Sequence, residues 1–333
     1  MVTGDRRAAL ALAKLRAIAA QHFADGASID DAESSAVGTG AGLLIGRRAV
    51  VYLPDPQRSP SPLAALVAWG AKRDADEYHL VLDQVEDIWV ASAAGLDPTP
   101  TIWRVTGTSI EAVREAHLPE PPEPPPVAIA AGAQLAEAGL DVIVEHGVVV
   151  GEFAGLEVAR IAVDAQGEAI VRVGVGLFDQ EAHAVINADL PTPEHLAKVI
   201  EQVREQRTLT AGLHPLNRFS RERWLRSVVV AHPELVGCRT LVPLAPLEVR
   251  GGIHEPAPAA ALGVSDAGTA LVVCSAGIDL DLVPTAAGHV AHERPDEVVL
   301  VLPERDHHAV IETSMKMLAA PARLVAIAEP WPV

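Results

Sequence analysis

Apolar and polar residues alternate along this chain with two periods, and each period predicts a different element. Asp5–Ala24 follows the helical period, with Leu10, Ala13, Leu15, Ala17 and Ile18 set against Arg6, Arg7, Lys14 and Arg16. Two short aliphatic runs, Leu43–Ile45 and Ala49–Leu53, flank Gly46-Arg47-Arg48 and predict a hairpin. A helix is expected over Pro62–Lys72, opened by its proline, then a buried strand over Tyr78–Leu82. Val85–Ala94 predicts a helix and Ile102–Val105 a strand. The prolines of Leu118–Pro126 can sustain neither helix nor ladder and mark a linker.

Beyond the linker, Val127–Ala138 reads as a helix and Asp141–Val144, Val148–Glu152, Leu156–Val163 and Ala169–Val175 as strands. Asp164–Glu168 is the turn between the last two. Helices follow over Phe178–Asn187 and Thr192–Gln206, the second with Thr192 as its cap and Glu194 in its first turn. After an arginine-rich helix ended by His232-Pro233, Val249–Pro258 forms a loop. The last third then gives a hairpin (Ala260–Val264, Ala270–Cys274), a helix (Leu282–His292), a strand (Val298–Leu302), a helix (His307–Leu318) and a strand (Leu324–Ile327). Its order matches the first third, and Asp76–Gln84 (DEYHLVLDQ) aligns with Asp296–Glu304 (DEVVLVLPE) at an offset of 220 residues, placing Leu80 opposite Leu300. The expected fold is α/β with an α+β centre. Two ββαβαβ units, as an internal duplication would produce, flank a central sheet-plus-helices unit. The parts run 1–117, linker 118–126, 127–250 and 251–333.

With 333 residues, 49% hydrophobic and only 3% aromatic, the core must be aliphatic, and few rings are left for stacking bases. A formal charge of -18 repels phosphates, so composition argues against a nucleic-acid partner. Cys238 and Cys274 lie far apart in apolar runs and suit buried free thiols rather than a metal or disulfide framework. No run approaches the roughly 18 apolar residues of a membrane span, and the N-terminal stretch lacks the plan of a signal peptide. A cytoplasmic protein without a membrane partner is expected.

Charge turns positive in one place. Arg204–Arg226 holds six arginines against Glu205 and Glu222, a formal +4, which leaves -22 for the remainder. Ser220 is placed to cap a helix with Arg223 and Trp224 in its first turns, and Phe219, Trp224, Leu225, Val228 and Val229 give it an apolar face. Arg218, Arg221 and Arg226, with His214 nearby, form a candidate site for an anionic ligand or protein partner, since arginine forks suit carboxylate and phosphate. The same segment also fits a basic strut that ties acidic parts together through ion pairs.

Elsewhere, Glu145, Glu152 and Glu157 on adjacent strands could hold Mg²⁺, an oxygen-seeking cation. Strand alternation puts Glu157 on the core side, in need of a partner, with Arg160 on the other face. Asp179 and His183 stand four apart on an expected helix, a metal-ligand spacing that also suits a hydrogen bond along one face. Asp306 and either Asp279 or Asp281 are placed as helix caps. The Gly38–Gly42 run lacks the lysine of a phosphate loop and precedes a strand, and no GxSxG elbow occurs.

The stretch Gly151-Glu152, Leu156-Glu157-Val158, Asp164-Ala165-Gln166-Gly167 and the aliphatic strand after it resembles, over about fifty residues, the hairpin of restriction-endonuclease-like nucleases. The likeness implies an acid-x-lysine on the later strand, where this chain has Arg172-Val173-Gly174-Val175-Gly176. It therefore implies degenerate nuclease-like units, with Arg172 the candidate substitute for the lysine. The chain as a whole, through LHPLNRFSRERWLR and VLVLPERD, resembles an actinobacterial protein family, a likeness that implies no activity. Two functions are thus expected in competition. One is a non-catalytic binding or scaffold role that needs no cofactor. The other is a metal-dependent nuclease or phosphoesterase using Mg²⁺ with Glu145, Glu152, Glu157 and Arg172.

Overall fold

The computed structural model describes residues 2–331, apart from 25–28, 30–31, 57–59, 177–179, 181–191, 209–213 and 250–254. The described residues form a mixed α/β structure with eight α-helices and three sheets, of six, four and five strands. They fall into two compact units. The first runs to Leu118 and takes in Ile278–Val298 and His308–Arg323, and the second holds the rest. The boundary at Leu118 coincides with the start of the proline run, and the last third contributes to both units.

In the first unit β1 (Glu33–Val37), β2 (Gly40–Ile45), β3 (Arg48–Leu53), β4 (Glu77–Leu82), β5 (Thr101–Thr106) and β6 (Ser109–Val113) lie side by side in that order. The β3–β4 and β4–β5 pairs are parallel and the rest antiparallel. Helix α1 (Val2–His22) lays Ala11, Leu15, Ile18 and Ala19 on Leu43, Val50 and Val81 of the sheet, while Leu10 stays exposed. Gly38 and Thr39 make the β1–β2 turn, and Gly42 is required because a Cβ there would lie 2.5 Å from the Trp69 ring. That packing accounts for Gly42, and Gly38 serves the turn with a positive φ.

Helices α2 (Pro62–Ala71), α3 (Asp87–Ala93), α7 (Leu282–Glu293) and α8 (Ala309–Ser314) complete this unit. Ser61 caps α2, its Oγ accepting the Ala64 N–H at 3.2 Å. The Ser61 N–H in turn donates to Asp281 at 2.7 Å. Asp281 occupies the cap position of its own helix, α7, but makes no side-chain bond there. The long helix expected over His307–Leu318 is instead the short α8 followed by a 3₁₀ turn, Met315–Met317. Its cap is His308, whose Nδ1 accepts the Val310 N–H at 3.2 Å, not Asp306. Asp306, in the second unit, accepts the Gly277 N–H at 2.6 Å.

The second unit holds α4 (Pro126–Glu137), α5 (Thr192–Gln206), α6 (Arg221–Ala231) and an antiparallel sheet, β7 (Asp141–Glu145), β8 (Val148–Phe153), β9 (Leu156–Val163) and β10 (Ala169–Val173), ordered β10-β9-β8-β7. Thr192 is the first residue of α5 rather than its cap. Leu135, Val149, Leu156, Val158, Val199 and Val203 form the core between this sheet and its helices. The third sheet, most of whose residues belong to this unit, is ordered β11 (Cys238–Pro243), β12 (Ala259–Ser265), β13 (Gly268–Cys274), β14 (Glu297–Pro303), β15 (Ala322–Ile327). The strand order β2-β3-β4-β5 thus parallels β12-β13-β14-β15, with Leu80 on β4 and Leu300 on β14 both buried. Both cysteines are buried free thiols, and burial pushes Cys274 up to about 12. Among the described residues no helix is long and apolar enough to cross a membrane.

Candidate functional site: the arginine helix and its carboxylates

Helix α6 packs Trp224, Leu225, Val228 and Val229 into a core shared with β11, β12 and β13. Ser220 precedes it in the left-handed region and makes no side-chain cap bond. The β8–β9 turn abuts the helix so closely that a Cβ on Gly155 would lie 2.2 Å from the Trp224 nitrogen. Packing of this kind carries arginines inward along with the tryptophan.

Glu152 lies on β8, a strand buried on both faces, and is 1% exposed. A carboxylate there needs full compensation. Arg226, 2% exposed, donates to its Oε2 at 2.7 Å, and Arg223 donates through Nη1 to its Oε1. Arg223 also reaches Glu145 at 2.9 and 3.0 Å, and Arg226 donates to the Leu244 carbonyl at 3.3 Å. Burial alone would raise the Glu152 carboxyl, but Arg226 and Arg223 outweigh it and hold the group below the ordinary range. Burial would likewise lower Arg223, yet Glu152 and Glu145 raise it. Beside them the Ser227 hydroxyl donates to Asp141 at 2.8 Å, and burial raises that carboxyl.

A second buried arginine centre, not foreseen from the sequence, surrounds Arg207, which is fully buried. Its guanidinium donates to the carbonyls of Ala154 (2.7 Å), Phe219 (2.9 Å), Ser220 (3.1 Å) and Leu216, and lies 4.7 Å from the Trp224 ring centroid. Carbonyls satisfy its donors without cancelling its charge, and burial pushes it down to about 9.

The expected anion site is therefore not assembled. Arg226 faces Glu152 in the core, and Arg221 is paired with Glu329. His214 is spent locally, its Nδ1 accepting the Leu216 N–H at 3.4 Å at the head of a 3₁₀ turn, Pro215–Asn217. Arg218 is exposed but precedes α6, so the helical phase that grouped it with Arg221 and Arg226 does not hold. The expected carboxylate cluster is not assembled either. Glu157 is held by Arg160 in a two-pronged pair at 2.7 and 2.9 Å and by Gln180 at 2.8 Å. Arg160 was expected on the opposite face, but the β8–β9 register shifts between Gly151 and Glu152 and passes over Val158, so the alternation is broken between Glu157 and Arg160. Arg172 is exposed on β10, in register with Arg160, and β10 is the far edge from the strand that carries Glu145.

Among the described residues no three His, Cys, Asp or Glu side chains gather as metal ligands. Mg²⁺ does not fit at Glu145 and Glu152, because both carboxylates already face arginine cations. Asp179 and His183, and most of the helix expected around them, lie outside the described residues. A shallow cavity of about 490 Å³ in the first unit, walled by Ala94, Val290, Pro295, Ala320 and Pro321, brings one charged residue, Arg294, and no acid–base pair. Comparison with protein-family models, with curated proteins and with solved structures found no match.

Proposed function

We propose that this is a non-catalytic binding or scaffold protein, in which α6 clamps two sheets together and Arg221, the least buried of its arginines, meets an anionic partner. The observation that carries this is the pairing of Glu152 with Arg223 and Arg226 in the core. A carboxylate that must compensate two buried guanidinium groups is withdrawn from metal and proton chemistry. The nuclease alternative requires that same carboxylate, with Glu145 and Glu157, to be open toward a cation. The like order of β2–β5 and β12–β15 supports duplication of one ββαβαβ unit, a plan suited to a rigid frame.

The test is titration calorimetry with Mg²⁺ and a plasmid-cleavage assay, on the wild type and on Glu152→Gln. No Mg²⁺ heat and no cleavage are expected from either. Mg²⁺-dependent cleavage by the wild type that Glu152→Gln abolishes while remaining folded would establish the nuclease instead.

A further inference from the structure

The first turns of α6 carry a seat of defined chemistry, floored by the core residue Trp224, and a short segment of the same chain fills it. After β15 the segment Glu329-Pro330-Trp331 returns to the helix. The Glu329 carboxylate is gripped by Arg221 and by Arg305, the latter at 2.9 Å. Two residues on, the Trp331 indole is buried beneath Arg221, whose guanidinium lies 5.0 Å from the ring centroid. Trp331 meets Trp224 edge to face at 5.4 Å. An arginine fork, an aromatic floor and a second arginine thus select a carboxylate followed at two residues by an indole.

One donor of the seat, Arg221 Nε, and one of the resident segment, Trp331 Nε1, are buried without a hydrogen-bond partner. Glu329 engages Arg221 through Nη2 alone, whereas a carboxylate presented side-on would take Nε and Nη2 together. The resident segment therefore leaves room for a better-matched occupant.

We propose that this seat is a docking site for an acidic–aromatic peptide segment of a partner protein, a carboxylate two residues before an indole, and that Glu329–Trp331 is its built-in competitor. This rests on the binding role proposed above and names the chemistry of the partner. The -18 charge of the chain favours the arrangement, because an acidic peptide meets repulsion over most of the surface and attraction where Arg221 and Arg305 converge. A tethered competitor acts at an effective concentration in the millimolar range, so it weakens binding in trans until a stronger segment displaces it.

The experiment uses the full chain and, as probe, a fluorescein-labelled peptide with the sequence of residues 326–333, followed by fluorescence anisotropy. The variant Glu329→Ala with Trp331→Ala empties the seat and is expected to bind the probe at least about tenfold more tightly than the wild type does. Adding Arg221→Ala should remove that gain, as should a probe in which the glutamate is replaced by glutamine. Should the double variant unfold by circular dichroism, Glu329→Gln alone, which keeps the indole in place, must show the same direction of change. Equal affinity for the wild type and a folded emptied variant overturns the proposal. Concentration-dependent dimerisation of the wild type that Trp331→Ala abolishes also overturns it, by assigning the seat to a second copy. Either outcome leaves the absence of Mg²⁺-dependent cleavage to be judged separately.

Discussion

Replacing Arg226 with alanine removes one of the two cations that permit a carboxylate in the core. Glu152 and Arg226 are 1% and 2% exposed, so water does not take over the lost bond. Breaking such a pair from one side costs about 3–5 kcal/mol, a large share of the roughly 5–15 kcal/mol that stabilises an ordinary protein. At about 2–4 °C per kcal/mol, the melting midpoint should fall by roughly 6–20 °C. The control is Arg239→Ala. Its pair with Asp266, at 2.6 Å, is shorter than the 2.7 Å of Arg226–Glu152, but both partners are largely exposed. Solvent screening should leave that variant close to wild type, so burial rather than distance decides the outcome. The pH dependence has a definite sign. Glu152 is held below its ordinary range in the folded protein, so its contribution is present above the unfolded value of about 4.3 and lost as pH falls through the lower folded value. The deficit of Arg226→Ala should therefore shrink in acid. Scanning calorimetry of both variants at several pH values measures this. A fall no larger than that of the control at pH 7, or a deficit that widens in acid, refutes the argument.

Two further outcomes are expected. His289, buried on α7, is pushed down to about 4, so stability is complete above the ordinary value near 6.5 and lost toward pH 4, by roughly 3 kcal/mol. In Gln or Leu variants of His289 the midpoint should change less between pH 7 and pH 4.5 than in the wild type, and an unchanged difference would count against this. Gly155→Ala should cost far more in urea denaturation than Gly167→Ala. Both glycines have positive φ, but a Cβ at Gly167 meets nothing within 4 Å while one at Gly155 strikes the α6 backbone. Equal losses would mean that the close approach to α6 carries no stability.

Strands and helices with strong periods were readable in the sequence. Tyr78–Leu82, Val298–Leu302 and the four central strands are β-branched or aliphatic runs between turn residues, and α5 was placed with its observed bounds. The edge strands β1, β6 and β11 escaped, because ESSAV, SIEAV and CRTLVP are short and half polar and owe their conformation to a neighbouring strand. The arginine cluster was visible, but its direction was not. Periodicity treats arginine as a wet residue, so Arg218, Arg221 and Arg226 read as one wet side, although Arg226, with Arg223, accompanies Trp224 into the core. One signal was available. Glu152 closes the apolar run VVVGE, and a carboxylate at a buried position demands a cation, which this acidic chain offers in quantity only between Arg204 and Arg226. Nothing comparable marked Arg207, whose partners are backbone carbonyls and therefore leave no trace in residue types.

The bond from Ser61 to Asp281 joins positions 220 residues apart within the first unit. At the usual 5–20 residues per second, the ribosome needs roughly 10–45 s to make the intervening chain. Throughout that interval α2 and α3 exist without α7 and α8, and Gly95, set against the Ala287 backbone in the finished fold, has nothing to meet. The first unit is thus begun first and completed almost last, while most of the second unit is made in between. Loop closure over such a span is entropically costly, and the apolar surface of α2 and α3 that α7 and α8 later cover waits on the nascent chain until then.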